Sequence, residues 1–371
     1  MELSREDAYL VLNALPRIGW VTLQILLKHF QNDPRCILRG KEADFQQVGI
    51  TTAAYKNLSQ WETLFRVEVE KQRLASMGAQ FLSFEHPDYP ALLKTIYDPP
   101  IGLYFLGKLR PSTQTIALVG SRYATLYGLH LSERWSAACA ERGWCIVSGF
   151  ARGVDTAAHR GALRVKGATA AVLGCGLDRI YPPENADLYA QLREQGCLLS
   201  EFPLGTRADR MTFPRRNRIL SGMSQATVVI ESDLKGGSML AAAFANEQNR
   251  PVFAVPGSVD SAMSRGCHHL IRNGATLATS VEDILEDLQA APPLPLQLDL
   301  EEKIQTLHRK EVPALSGVEL QVYHLLKSKG ALGSSEICAA CEIAPEEVQT
   351  ALFSLEWNRW IVRRNDGLFE I

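Results

Sequence analysis

Ile116-Ala117-Leu118-Val119-Gly120-Ser121-Arg122 opens the stretch that decides the fold. An apolar run ends in glycine, and the same form returns at Cys145-Ile146-Val147-Ser148-Gly149-Phe150-Ala151-Arg152-Gly153. Further short runs at 169–173, 197–200, 227–230, 252–255 and 276–278 alternate with helical stretches. Continuous apolar runs suit strands buried on both faces, and their alternation with helices suits a parallel sheet. A doubly wound α/β domain is predicted to extend to about residue 288.

Outward from that domain, residues 1–80 read as helical. Tyr9, Leu10, Leu12 and Leu15, then Leu23, Leu26, Leu27 and Phe30, follow a helical period. Hydrophobe-Gly-hydrophobe turns at Ile18-Gly19-Trp20 and Val48-Gly49-Ile50 give this segment a SAM or helix-hairpin-helix look. Such turns can bind nucleic-acid backbone, but they carry no basic surplus here, which leaves packing or partner docking open. Residues 81–115, with His86-Pro87-Asp88-Tyr89-Pro90 and Asp98-Pro99-Pro100, form a connector whose X-Pro steps favour extended backbone. Its Leu and Tyr content predicts that it docks on the next domain. Residues 289–312 read as a linker. Helices at 318–329, 334–340 and 345–357, then a hairpin turning at Asn365-Asp366-Gly367, make 313–371 a winged-helix domain. Its third helix carries Glu346, Glu347 and Glu356 against Arg359, so protein contact is expected of it before duplex readout.

The 371 residues, 46% hydrophobic and 22% charged, bound the chain to a soluble globular class of two or three domains. A formal net charge of -2 excludes a global basic field, so any polyanion site must be local. The eight cysteines sit mostly singly in apolar runs, as reduced buried cysteines do. The N-terminus has no signal-peptide form and no apolar run is long enough to span a bilayer, so a cytoplasmic protein with no membrane association is expected.

The chemistry gathers at the strand ends. In a doubly wound sheet ligands bind beyond the carboxyl ends of the strands. Here those ends carry Gly120-Ser121-Arg122, Ser148-Gly149 with Arg152, Gly174-Cys175-Gly176, Lys235-Gly236-Gly237-Ser238 and Pro256-Gly257. Glycine lets a phosphate approach the main chain, and serine adds a donor. Phe213-Pro214-Arg215-Arg216-Asn217-Arg218 follows Arg207 and Arg210, placing five arginines in twelve residues. Pro214 suits a helix's first turn, which would gather guanidinium groups and free N–H groups at one helix start. Phe213, just outside that helix, offers a face to a base. The plainer reading of this stretch is a solvated basic helix end with Phe213 in the core.

Other chemistries find less support. Arg179 stands where a dinucleotide fingerprint needs its third Gly, and no Walker A pattern exists. Asp155 and His159, four apart on one helix, read as an acid/base pair or, more plainly, as a cap plus a surface histidine. Cys338-x2-Cys341 is half a zinc pattern, and Cys267 with His268-His269 cannot converge on a helix, so no metal is expected. No cofactor is expected either.

The Gly120–Arg122 loop, the 148–159 stretch ending in His159, the 213–222 stretch and Ala254-Val255-Pro256-Gly257 resemble the DprA/Smf family, the DNA-processing protein of natural transformation. Tyr89-Pro90 and the Pro99-Pro100 step fit it too. The resemblance is specific from about 87 to 275 and architectural at the two ends. It implies an extended Rossmann domain that binds single-stranded DNA without sequence readout, protects it and loads the RecA recombinase. It also implies a homodimer through that domain. Carried over by residue, Arg122 resembles a backbone-phosphate ligand and Arg210 a basic strand contact. Phe213 resembles the aromatic that meets a base, while Arg215, Asn217 and Arg218 match the arginine-rich signature. The strand-binding set is then Gly120, Ser121, Arg122, Ser148, Gly149, Arg152, Arg210, Phe213, Arg215, Asn217, Arg218, Lys235, Gly237 and Ser238, with no catalytic residue. Two departures stand out. Pro183 replaces a Lys found in some members after Tyr-Pro, and the family's Ser-Gly-Ser-Leu-x-Thr-Ala loop reads Gly236-Gly237-Ser238-Met239-Leu240-Ala241-Ala242. The competing enzymatic reading is a Rossmann-type nucleotide phosphoribohydrolase using the Lys235 loop and Glu247.

Overall fold

This computed structural model describes residues 3–108, 114–290, 317–330, 332–341, 343–357, 361–363 and 368–370. The chain divides into two compact units, Met1–Leu296 and Gln297–Ile371. The expected linker lies outside the described residues from 291 onward.

The first unit is mixed α/β around a nine-stranded sheet. Strands β1 (Ala79–Ser83) and β2 (Gly102–Gly107) precede β3 (Thr115–Val119), β4 (Cys145–Ser148), β5 (Thr169–Val172) and β6 (Cys197–Ser200). Then come β7 (Ala226–Val229), β8 (Val252–Ala254) and β9 (Thr276–Leu277). The order across the sheet is β1-β2-β6-β5-β4-β3-β7-β8-β9. From β6 to β9 every pairing is parallel, while β1 and β2 add an antiparallel edge. All seven runs singled out in the sequence are strands. The antiparallel pair is additional, and it arises inside and just before the segment read as a connector.

Strand order reverses at β3, whose neighbours are β4 and β7. Side chains alternate across a strand. Ile116 and Leu118 therefore pack with Leu131 and Trp135 of α8 (Leu126–Glu141), Ala158 of α9 (Val154–Arg164) and Ile284 of α14 (Val281–Ala290). Ala117 and Val119 face Leu220 of α11 (Thr212–Gly222), Ala242 of α12 (Gly237–Glu247) and Leu270 of α13 (Arg265–Arg272). Each buried Leu or Val stabilises the fold by about 1.5–3 kcal/mol relative to exposure.

The helices before the sheet, α1 (Arg5–Ala14) to α7 (Val67–Met77), share a core with β2, β6 and α10 (Ala186–Gln195). Tyr9, Leu12, Leu23 and Phe45 belong to the same cluster as Tyr104, Leu192 and Leu198. Polar ties reinforce that seat. Arg73 pairs with Asp178 at 2.7 Å, and the Glu70 carboxylate accepts from Leu204 N at 2.8 Å. No described helix is long and apolar enough to cross a membrane.

In the second unit, α15 (Val318–Lys329), α16 (Ser334–Cys341) and α17 (Pro345–Trp357) bury Val322, Ile337, Val348 and Leu352 together with Phe369. Val362–Arg363 pairs antiparallel with Phe369–Glu370. The expected turn at 365–367 and Arg359 lie outside the described residues.

Candidate nucleic-acid interface

The loops after β3, β4 and β5 surround a shallow cleft open to solvent. Its walls are Arg122, Gly149, Ala151, Arg152, Gly174, Cys175, Tyr181, Pro182, Ala208 and Phe213. Phe213 reaches it from the first turn of α11 and is half-buried. A Cβ on Gly174 would lie 3.0 Å from its ring, so glycine is what lets the ring lie against the β5 turn. The Arg122 guanidinium stands 4.7 Å from the Phe213 centroid, and the Tyr181 ring is 5.8 Å away. A cation over an aromatic face is attracted by the ring quadrupole. A planar charge and two rings are thus gathered at one opening, an arrangement that suits an anionic ligand with flat bases.

The rim is rigid. Ser121 N donates to Glu231 O at 2.7 Å, and the Ser121 hydroxyl accepts from Tyr123 N at 3.0 Å. Gly153, at φ 75°, brings its Cα so close to Ser121 O that a side chain there would collide. Arg152 is exposed and ion-paired to Glu184, a hydrogen bond that holds its guanidinium above the ordinary value.

Beneath the cleft the charges are buried. Arg216 is 4% exposed, and its Nη1 donates to Gly149 O and Val172 O, joining the ends of β4 and β5. Burial pulls its guanidinium below the ordinary value, and the nearby Asp155 carboxylate works against that. Asp155 itself is raised by burial and accepts from Ala151 N.

The structure corrects several sequence expectations. Arg218 is buried, bridged to Glu201 and to Asp98 at 3.1 Å, because a guanidinium enclosed here needs carboxylate partners. Asn217 turns inward and donates to Gly237 O at 3.2 Å. The Ser148 hydroxyl is consumed by Leu118 O at 2.6 Å, and Ser238 by Ser232 Oγ at 2.8 Å. None of these four presents its polar group to solvent as a strand ligand would. The start of α11 is not free either, since Asp209 Oδ1 accepts from Met211 N and Thr212 N at 2.6 and 2.9 Å. Phe213 lies inside the helix, not outside it.

His159 is fully buried and is not a surface residue. The Thr169 hydroxyl donates to Ile146 O, so it accepts from His159 Nδ1 at 2.7 Å. Burial, aided by Arg216, depresses the His159 pKa to about 3. It is neutral near pH 7 and its position is closed to substrate. Cys175, at the cleft wall, has its thiol pushed up to about 11 by burial, which removes it as a nucleophile. Among the described residues no three His, Cys, Asp or Glu side chains converge as a metal would need.

Of the expected set, Arg122, Gly149, Arg152 and Phe213 share the cleft. Gly120 and Ser121 form its β3 loop, while Arg210, Arg215, Lys235 and Gly237 are exposed outside its lining. Arg215 also reaches Glu201 at 3.2 Å and stands over the Phe202 ring. Sequence reasoning missed Tyr181 and Ala208. The aromatic before Pro182 was the available signal, but only the fold brings it to Phe213.

A family model described as DNA recombination-mediator protein A matches residues 80–289. Protein Smf of Synechocystis sp. is 39% identical over 300 residues, covering 77% of this chain and 74% of that protein. Among solved structures, DNA processing protein A from Streptococcus pneumoniae matches at 31% identity and a TM-score of 0.66, covering 77% of this chain and 99% of that one. DNA processing protein A from Helicobacter pylori, described for its single-stranded DNA binding mode, matches at 29% identity and a TM-score of 0.52, covering 57% of this chain and 96% of that one.

Proposed function

We propose, for a chain that belongs to the DprA/Smf family of DNA recombination-mediator proteins, that it binds single-stranded DNA without sequence readout through the cleft at the carboxyl ends of β3–β5. The observation that carries this reading is Arg122 held over Phe213 in an open cleft, a phosphate ligand and a stacking face in one unit. Nucleic-acid bases all have a π face, so stacking tolerates any sequence. Arg152, Arg210 and Arg215 extend the positive rim for the backbone, and the Lys235–Gly237 loop flanks it beyond α11. Arg216, Asn217, Arg218, Ser148 and Ser238 belong to the scaffold under that surface.

The wider role follows the family: protection of incoming DNA, loading of RecA and a homodimer through the sheet domain, in a cytoplasmic protein of transformation or recombination that is not an enzyme. The helices before the sheet are read as a SAM or helix-hairpin-helix-like domain and the second unit as a winged helix. The acidic first turn of α17, with Glu346 and Glu347 exposed, favours a protein partner there.

The phosphoribohydrolase reading loses ground on geometry. Lys235 precedes the start of α12 and Glu247 closes its far end, so the two cannot meet one small substrate. His159 and Asp155 are sealed beneath the cleft.

Competition between single-stranded and duplex oligonucleotides across a salt series tests the proposal. Preference for the single strand, with affinity falling by roughly 0.7 log units per log unit of salt for each phosphate neutralised, is expected. Affinity flat in salt, or duplex preference, would overturn it. Removing residues 313–371 is expected to leave strand affinity intact.

A further inference from the structure

Tyr123, Leu126 and Tyr127 are 85%, 74% and 58% exposed, three large hydrophobic side chains in five residues beginning next to Arg122. Scattered surface hydrophobics are ordinary, but a cluster of this size beside a ligand cleft calls for an occupant. The segment that carries them is held firmly. Thr125 N and Oγ1 donate to the buried Glu231 carboxylate at 2.8 and 2.6 Å, and Thr125 Oγ1 accepts from Gly128 N at 3.2 Å. A Cβ at Gly128 would lie 2.4 Å from the same carboxylate, so the first turn of α8 sits directly on it. A backbone fixed in this way needs no ordering when the rings are covered, which removes that part of the binding cost.

Position decides the occupant. Gly153, beside Arg152, packs so closely on Ser121 O and the Arg122 backbone that the Arg152 loop abuts the turn that carries Tyr123. Tyr181 is 5.8 Å from Phe213. The cleft thus gathers Phe213, Tyr181, Arg122 and Arg152, with Tyr123 next to Arg122 in the chain and Tyr127 four residues on, in the first turn of α8. Flat apolar faces and guanidinium groups lie together there, which is the composition of a platform for a polyanion with stackable bases. A protein partner would meet no such gathering of charge and ring as a requirement.

We propose that Tyr123 and Tyr127, with Leu126 between them, form a second base-stacking station, onto which the strand passes after leaving the Arg122–Phe213 cleft across Arg152. This rests on the single-strand reading above and adds the direction in which the strand exits and the residues that meet it. The station binds unpaired bases of any sequence, and it is reached only by oligonucleotides long enough to extend beyond the cleft.

The test uses the full chain with Tyr123→Ala/Tyr127→Ala, Tyr123→Phe/Tyr127→Phe and Arg122→Ala, and oligothymidylates of increasing length. The double alanine variant should bind the shortest oligonucleotides like the parent and lose roughly tenfold in affinity for long ones, with the salt slope unchanged. The double phenylalanine variant should bind all lengths like the parent. A 2-aminopurine moved along the strand should be quenched by stacking at two separated positions in the parent and at one in the alanine variant. If Arg122→Ala weakens binding while the double alanine variant matches the parent at every length, the second station is wrong and the cleft stands. If the parent itself shows no salt-dependent strand binding, the underlying reading fails as well, so the parent's own salt series tells the two failures apart.

Discussion

Arg122→Ala and Phe213→Ala separate the two contributions that the cleft combines. Arg122 supplies one exposed guanidinium, so its loss removes about one phosphate contact. The salt slope of single-strand affinity should then become shallower by about 0.7. Across a tenfold rise in salt, the ratio of parent to Arg122→Ala affinity should shrink about fivefold, since 0.7 log units is that factor. Phe213 carries no charge. Its loss should cost about 1–3 kcal/mol of stacking, and that ratio should stay constant with salt. The residues are also in contact, because the guanidinium lies 4.7 Å from the ring centroid. That contact exists before the strand arrives, so it enters the affinity cycle only as far as binding changes it, and the double variant should lose the sum of the singles to within about 0.5–1 kcal/mol. Fluorescence anisotropy with a labelled oligothymidylate, from 50 mM to 500 mM salt, measures all four corners of the cycle. A salt-independent Arg122→Ala ratio together with a shrinking Phe213→Ala ratio would refute the assignment of roles.

Other outcomes concern the scaffold. Arg216→Ala strips the donor from Gly149 O and Val172 O and leaves Asp155 buried without its countercharge, a loss of about 3–5 kcal/mol to be read from urea denaturation. Arg218→Ala should destabilise by a similar amount yet leave the salt slope of strand binding untouched, and a shallower slope would return it to the strand contacts. His159, depressed to about 3 in the fold, binds fewer protons than in the unfolded chain between its two pKa values. The stability difference between the parent and His159→Gln should therefore be constant above about pH 7, then move against the parent as pH falls, by up to about 1.4 kcal/mol per pH unit below 6.

The parallel sheet was legible because its strands are buried on both faces and leave continuous apolar runs. Thr115–Val119 and Cys145–Ser148 are buried at every position. The antiparallel edge was not read. Ala79–Ser83 begins half-exposed straight after α7, and Gly102–Gly107 follows Pro99-Pro100, whose meaning as punctuation overshadowed the apolar run Leu103–Leu106. At the cleft, Arg122 and Arg152 were legible as loop residues at strand ends and Phe213 as the aromatic at the start of the arginine-rich helix. Their company was not, since Tyr181 meets Phe213 only through folding. Burial of charge was the other blind spot. Sequence counts arginines, but the carboxylate that claims Arg218 is Glu201, seventeen positions earlier at the end of β6.

That blind spot explains why the arginine-rich stretch is only partly a ligand surface. Residues two apart on a helix are separated by about 200° around its axis, so Arg216 and Arg218 leave α11 on nearly opposite sides. Arg216 grips the ends of β4 and β5, while Arg218 grips Glu201 and Asp98. The helix is pinned between two sets of acceptors. Phe213 rides on its first turn, so the pinning fixes the ring that Arg122 covers. Two of the stretch's five arginines thus serve to hold the aromatic still. Weakening the inner grip with Arg216→Gln should lower single-strand affinity while leaving the salt slope as it is, because the guanidinium is buried and its loss only loosens the platform. A slope reduced by about 0.7 would instead mean that Arg216 meets a phosphate itself, and the division of the motif into surface and scaffold would be wrong.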